Sequence, residues 1–247
     1  MADHTRATML TALLDGRALA AGELAQLAGV SPATASAHLA RLLDGGFVAR
    51  ARQGRHQYYR LAGHEVAAAI EALSHLGSPV PVRTLRQSRE AAALAEARTC
   101  YDHLAGRAGV ALLDALLGAG LLASGPENDG TADLAGRTAA AYEVTEAGTS
   151  VLRGFGLDLP ALRRSRRRFA GPCLDWTQRR PHLNGSLGAA ITARLLDLGW
   201  IERAPHRRAV QVTPAGRQGL ADTFGCAITD ERPTITNAHE HTNAHEH

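Results

Sequence analysis

Lysine is absent from the sequence, and all 27 basic residues are arginine. Aromatic residues are scarce as well, at 4% against 45% for hydrophobic residues as a whole, and alanine fills the difference. Abundant alanine with few aromatic and β-branched residues favours helices over extensive sheet. Cysteine occurs three times, at Cys100, Cys173 and Cys226. So small and odd a number supplies no disulfide framework and fits a reducing compartment. No stretch approaches the roughly 18 uninterrupted apolar residues of a membrane span. Asp15 and Arg17 interrupt the first apolar stretch, so no secretion signal and a cytoplasmic location are expected. Neither Gly-x-Gly-x-x-Gly nor Gly-x-Ser-x-Gly occurs, which removes the dinucleotide-binding loop and the nucleophile elbow as grounds for an enzyme.

What is present is long enough, at 247 residues, for one large domain or two small ones. The net charge of +3 is too small to argue for a polyanionic partner. Its distribution is more informative. Residues 1–77 hold seven arginines and six acids, and residues 78–150 hold six and nine. Residues 151–220 hold thirteen and four, and residues 221–247 hold one and five.

The first 77 residues read as one compact unit of helices and a hairpin. Met9, Leu10, Leu13 and Leu14 mark a first helix over 7–14, ended by Gly16. Ala21 to Ala28 is a short second helix. Ser31 then caps a third, with Pro32 at its first position, running to about Asp44 with Ala35, Leu39, Leu42 and Leu43 on its buried face. Residues 47–52 and 56–61 alternate as two strands around Gln53-Gly54-Arg55, and a final helix covers 64–76. Gly77-Ser78-Pro79-Val80-Pro81 reads as a linker, with residues 78–90 leading into a long helix over about 84–104.

Residues 91–232 form a second unit containing a weak repeat. His103-Leu104-Ala105-Gly106 leads through Val110–Leu117 and Gly120-Leu121-Leu122 to Thr145-Glu146-Ala147-Gly148. His182-Leu183-Asn184-Gly185 leads through Ala189–Leu196 and Gly199-Trp200-Ile201 to Thr213-Pro214-Ala215-Gly216. Each outlines a helix followed by a hairpin wing. The expected fold is mainly α with small β-hairpin wings, the second half holding degenerate winged-helix copies. Residues 233–247 end in Thr-Asn-Ala-His-Glu-His written twice and carry no apolar pattern, so a disordered tail is expected.

The order over residues 5–62, with Glu23-Leu24-Ala25-Gln26-Leu27-Ala28-Gly29-Val30-Ser31, then Pro32–Leu42, then Arg52–Leu61, resembles the ArsR/SmtB family of winged helix-turn-helix regulators. The resemblance covers about the first third of the chain. It implies a recognition helix in the major groove of a double-stranded DNA operator, and a homodimer through the first helix and the helix at 64–76. The residues suit that role. Ser31, Pro32, Ala33, Thr34, Ser36 and Ala37 are small enough for close approach, and Thr34 and Ser36 can hydrogen-bond bases. Arg41 reaches phosphate. Arg50, Arg52, Gln53, Arg55 and His56 crowd the hairpin tip, suited to the backbone or the minor groove.

Some family members hold metal on the helix before the recognition helix, but Glu23–Leu27 has neither Cys nor His. His64, Glu65 and His75 do not match the spacing of the family's other site and read as surface residues. A sensor is better sought in the second half. Cys100 and His103 stand three apart, on one face if helical. Cys173 and His182 are their counterparts in the repeat, and the four converge if the copies pack face to face. Two Cys and two His suit a zinc-like ion. A redox-active thiol, an organic-effector pocket walled by Tyr101 and Trp176, and a purely structural role stay open beside it. The tail offers His239, His241, His245 and His247, whose His-x-His pairs suit nickel, cobalt, copper or zinc; a natural metal-handling tail, a cloning remnant and a neutral duplication are all open. The run Arg163–Arg168 reads either as a solvated helix face or as extra phosphate contact.

The sequence thus points to a non-enzymatic, sequence-specific transcriptional regulator, a repressor whose operator affinity is changed by a metal ion, thiol modification or small molecule. An architectural DNA-binding protein without an effector is the competing expectation.

Overall fold

The computed structural model describes residues 3–54, 56–74, 84–125, 142–204 and 208–229; the side chains of His56, Ser74 and Arg86 lie outside that description. The linker residues 78–83 and the tail from residue 230 also lie outside it.

The N-terminal unit is built by local signals. Asp3 caps α1 (His4–Ala12) by accepting the Arg6 amide at 2.9 Å, and a turn of 3-10 helix follows at Leu13–Asp15. Next come β1 (Leu19–Ala20) and α2 (Ala21–Leu27), where the Glu23 carboxylate accepts the Ala20 amide at 2.8 Å. Ser31 caps α3 (Pro32–Asp44) through the Thr34 amide. Strands β2 (Val48–Gln53) and β3 (His56–Leu61) form the wing, and α4 (His64–Ser74) follows. Strand β1 pairs with β3, Leu19 opposite Tyr59, so the wing's base is a three-stranded sheet. The core of this unit joins Met9, Leu10, Leu13, Leu14, Leu24, Leu39, Leu42, Leu61 and Ile70. Each such side chain contributes roughly 1.5–3 kcal/mol by leaving water.

The second unit has its own core and shows the repeat as geometry. Thr84 caps α5 (Leu85–Glu96) in a reciprocal box with Gln87. The first copy then runs β4 (Arg98–Cys100), β5 (His103–Ala105), α6 (Gly106–Gly118), β6 (Leu122–Ser124), β7 (Tyr142–Val144) and α7 (Glu146–Gly154). After α8 (Leu159–Arg163) the second copy runs β8 (Gly171–Leu174), β9 (Pro181–Asn184), α9 (Gly185–Asp197), β10 (Ile201–Arg203), β11 (Val210–Val212) and α10 (Pro214–Phe224). Each copy is therefore hairpin, long helix, hairpin, short helix. The equivalences extend to single bonds. Thr145 Oγ1 accepts the Gly148 amide and donates to the Gly120 carbonyl, while Thr213 Oγ1 accepts the Gly216 amide and donates to the Gly199 carbonyl.

The helix expected over 84–104 ends at Glu96. Ala97 is extended, and Thr99 and Cys100 turn back through Tyr101 and Asp102 into β5. Tyr101 sits at φ 61, a left-handed conformation held by tertiary contacts: its amide donates to the Leu14 carbonyl at 2.7 Å, and its ring packs on the N-terminal core. Helix propensity is overridden here by docking between the two units. Further bonds join them. Arg203 donates to the Asp15 carbonyl at 3.2 Å, and Arg208 from the second copy pairs with Glu71 of α4.

The two copies interlock reciprocally. Helix α6 lies on β9 and α9 lies on β5. A Cβ at Gly109 would run into the Leu104 carbonyl and come within 3.5 Å of His182 Cβ; one at Gly188 would meet the Leu183 carbonyl and lie 3.4 Å from His103 Cβ. Charges cross the same seam in both directions. Arg98 of the first copy pairs with Asp175 of the second at 3.0 Å, both side chains fully buried. Arg167, just before the second copy, pairs with Asp102 of the first at 2.5 Å. Asp175 also accepts the amides of Gly106, Thr177 and Gln178 and the Thr177 hydroxyl.

Gly109→Ala forces apart helix and hairpin and is expected to destabilise the protein by about 1–3 kcal/mol, the usual range for overpacking. Gly118→Ala, where an added Cβ meets nothing within 4 Å, should be neutral or slightly stabilising in the same urea titration. Asp175→Ala leaves the Arg98 guanidinium buried without its partner and is expected to cost about 3–5 kcal/mol, measured the same way. A loss under about 1 kcal/mol, the size of an exposed pair, would show that the pair is not a keystone.

Candidate nucleic-acid interface and a buried cysteine-histidine cluster

Helix α3 buries Ala35, Leu39 and Leu42 and leaves the opposite side in water. Ser31, Pro32, Ala33, Thr34, Ser36, Ala37 and Arg41 are all exposed. Ala33, Ala37 and Arg41 fall one turn apart on a common stripe. Three hydroxyls hold internal bonds that leave the residues at the surface: Ser31 Oγ and Thr34 Oγ1 lie 2.9 Å apart, and Ser36 Oγ donates to the Pro32 carbonyl at 2.9 Å. His38 turns inward, its Nδ1 3.6 Å from the Asp3 carboxylate.

The wing continues this surface. Arg50 and Arg52 alternate onto one face of β2 and are exposed, as is Gln53. Arg52 Nε donates to the Gly54 carbonyl at 3.1 Å, which ties one arginine to the wing's tip. Arg55 lies outside the described residues, as does the side chain of His56.

In the second unit the structure gathers Cys100, His103, Cys173 and His182, whose ligand atoms all lie within 4.8 Å of one another. The route differs from the helical face expected for Cys100 and His103. They are direct cross-strand partners in the β4–β5 hairpin, and Cys173 and His182 are direct partners in β8–β9. The two imidazoles stack with centroids 5.1 Å apart and planes 25° apart. The two sulfurs are 3.9 Å apart. Cys100, His103 and His182 are buried and Cys173 is partly so.

The surroundings of the cluster repeat across the seam. His103 Nδ1 lies 3.3 Å from Asp102, and His182 Nδ1 lies 3.7 Å from Asp175. Burial works to raise the Asp102 pKa, but hydrogen bonds from His103 and Arg167 prevail and hold it down to about 2. Asp175 is likewise held well below the carboxylate range: burial opposes this, and Arg98, Thr177 and the Gly106 amide overcome it. The adjacent Cys173 sulfur and burial push the Cys100 thiol well above its ordinary value. Chemically, the cluster offers two soft sulfur donors and two borderline nitrogen donors in a closed space.

The remaining expectations fall elsewhere. Tyr101 packs on the N-terminal core, while Trp176 lies under the Arg98 guanidinium at 4.8 Å. His64 Nδ1 lies 3.3 Å from Glu65 at the surface, and His75 is outside the described residues. So are His239, His241, His245 and His247. The run Arg163–Arg168 is not one helix face, because α8 ends at Arg163; Arg163 covers the Phe169 ring and Arg167 binds Asp102. Arg164 and Arg166 remain exposed. The sequence reading missed Asp102, Asp175, Arg98 and Arg167. Only the Cys-x-Asp spacing shared by Cys100 and Cys173 hinted at the first two.

Comparison with known proteins agrees with the N-terminal geometry. A family described as a helix-turn-helix domain matches residues 1–51. Among solved structures, reduced HlyU from Vibrio cholerae is 35% identical over 32% of this chain and 82% of that one, with a TM-score of 0.29. A homodimeric winged helix-turn-helix DNA-binding domain from Mycobacterium bovis, described as a possible ArsR-family regulator, is 34% identical over 32% of this chain and 77% of its own, with a TM-score of 0.26. Among curated proteins, the Bacillus subtilis HTH-type transcriptional regulator YdfF is 40% identical over 217 residues, covering 88% of this chain and 90% of that protein. That match runs through both units, and by it the chain belongs to the helix-turn-helix transcriptional regulators, with the wing that β2 and β3 form.

Proposed function

We propose that the chain is a sequence-specific repressor whose hold on a double-stranded DNA operator changes when an effector binds its C-terminal half. The observation that carries the DNA-reading role is the exposed face of α3, from Ser31 to Arg41, set beside the arginines of the wing. Small residues and hydroxyls at the start of such a helix fit base edges in the major groove, and the arginines fit phosphate. One α3 covers one half-site, so the reading includes a homodimer spanning two half-sites about a helical turn apart. Its proposed seam is α1 and α4, where Leu73 remains exposed, with the second unit adding surface. The chain acts by binding and not by catalysis, in the cytoplasm; no helix among the described residues is long and apolar enough to cross a membrane.

The effector half of the reading is supported by the β4–β5 hairpin. Cys100 and His103 flank its turn, and the turn residue Tyr101 donates its amide to Leu14, in the 3-10 turn that follows α1. A metal ion, a modified thiol or a small molecule acting there would bias the placement of α1, and through it the proposed dimer. Such coupling typically amounts to about 1–3 kcal/mol.

Selection of duplexes from a random pool by the full chain is expected to yield a discrete operator, bound about 10³-fold or more tightly than random DNA at the same salt. A pool that stays random would favour an architectural DNA binder. With the operator in hand, Thr34→Ala combined with Ser36→Ala should weaken binding about tenfold or more while the circular dichroism stays unchanged. Arg41→Ala should weaken operator and random DNA alike and reduce the log-log salt slope by about 0.9. Wild-type operator affinity in the double variant would remove α3 from the interface.

A further inference from the structure

We propose that Cys100, His103, Cys173 and His182 form a four-coordinate site for a divalent cation of the zinc class, completed only when the two copies of the repeat are packed together. The inference deepens the proposed regulation and rests on it only where the operator is concerned.

The donor set is the first argument. Two thiolates and two neutral imidazoles around a divalent ion make a site with no net charge, so a buried pocket can hold it without isolating a charge from water. The spacing is the second. An ion with metal–sulfur bonds of about 2.3 Å in tetrahedral arrangement keeps its two sulfurs about 3.8 Å apart. The sulfurs of Cys100 and Cys173 stand 3.9 Å apart with all four ligand atoms inside 4.8 Å. The buried Nε2 of His103 makes no hydrogen bond to the protein, while its Nδ1 faces the Asp102 carboxylate. The third argument is the outer frame. Metal-bound histidines ordinarily turn their second nitrogen to a carboxylate or carbonyl that fixes ring and tautomer. Here His103 Nδ1 lies 3.3 Å from Asp102, and His182 Nδ1 stands 3.7 Å from Asp175, close to that carboxylate but beyond hydrogen-bond distance. Each of those carboxylates is clamped by an arginine from across the seam, Arg167 and Arg98. Cross-strand pairing presents one Cys and one His from each hairpin to the same point.

Binding is a ligand exchange. The entering ion sheds its water, Cys100 and Cys173 lose their protons to solvent, and two sulfur and two nitrogen bonds to the metal form. No electron is transferred. Because Tyr101 lies between two of the ligands and donates its amide to Leu14 in the turn after α1, the ion also steadies the hairpin that meets the N-terminal unit.

The test uses the full chain, stripped of metal under a thiol-free reductant and titrated with cobalt(II). The expected result is thiolate-to-cobalt charge-transfer absorption with the intense visible bands of a tetrahedral ion, saturating at one cobalt per chain and bleached by one equivalent of zinc. The histidines of the tail contribute no thiolate band, so they do not mimic the signal. Cys226→Ala should keep it, and Cys173→Ser, at a partly exposed position, should lose most of it. Absence of the thiolate band in the wild-type chain overturns the site whether or not the variants fold. So does its persistence in Cys173→Ser, or a band that vanishes only in Cys226→Ala. Operator affinity is then compared in the metal-free and zinc-loaded chain, where a change of about 5–150-fold is the usual reach of such coupling. A full cobalt spectrum with unchanged operator affinity leaves the site standing and overturns the effector reading instead.

Discussion

The buried pair of Arg98 and Asp175 is the constraint on which the second half of the molecule depends. Taking both charges out of water costs several kcal/mol per ion, and the attraction between them repays this only with good geometry and further hydrogen bonds. Asp175 obtains those bonds from three backbone amides and a hydroxyl. One of the amides, from Gly106, begins the long helix of the other copy. The carboxylate therefore joins three things at once: the β8–β9 turn, the entry to β4 and the start of α6. Its counterpart, Asp102 with Arg167, is partly exposed and joins fewer elements. The repeat is symmetric in outline, and its burden falls on one side.

From that joint follows the position of the cysteine-histidine cluster. A side chain at Gly109 or Gly188 would run into the carbonyl of Leu104 or Leu183 in the hairpin that precedes its own helix, so glycine there lets each long helix fold tightly onto its own hairpin. With hydrogen there, each helix also packs on the other copy's hairpin beside its histidine, and the two imidazoles stack across the seam. Each copy contributes one sulfur and one nitrogen, so neither is complete alone. The seam also contacts the DNA-reading unit through Tyr101, Arg203 and Arg208, reaching the end of the first helix and α4. A change at the cluster thus has a short physical route to α1. The route passes through backbone hydrogen bonds and the packed Tyr101 ring.

How much of this was legible in the sequence depended on the range of the interactions. Helix α3 was readable to the residue, because Ser31 as cap, Pro32 at the first position and the Gly45-Gly46 stop are all local signals. The wing was readable for the same reason. Strand β1 was not, since two residues give no periodicity and only pairing with Tyr58 and Tyr59 defines it. The β4–β5 hairpin was misread as helix. Residues 91–98 are rich in good helix formers, and a Cys and a His three apart suit one helical face as well as one tight hairpin. What decided between them was Tyr101 docking on Leu14, a contact across 87 positions that no window captures. The ion pairs escaped for the same reason, Arg98 lying 77 residues from Asp175 and Arg167 lying 65 from Asp102. The gathering of Cys100, His103, Cys173 and His182 was foreseeable only through the repeat, which identified equivalent positions without showing how the copies face each other.

The missing lysine takes on meaning against this background. The arginine-rich stretch looks from sequence like a footprint for phosphate, yet many of its guanidinium groups are spent inside the protein. Arg167 donates to the Gly185 carbonyl, Arg194 to Phe155, Arg203 to Asp15, Arg208 to Thr99 and Arg217 to Val212. Arg167 and Arg208 hold a carboxylate at the same time. A planar fork with five donors can bridge a carboxylate and a carbonyl together, whereas a lysine ammonium acts as a single strongly hydrated point. In a chain with so few aromatics to fill its seams, such forks do the joining between units. Exposed arginines remain on both units, among them Arg41, Arg50 and Arg52 on the N-terminal face and Arg153, Arg164, Arg166, Arg179 and Arg180 on the second. Arg203 and Arg208 tie the second unit to the turn after α1 and to α4, so these forks set where both elements are held relative to the repeat.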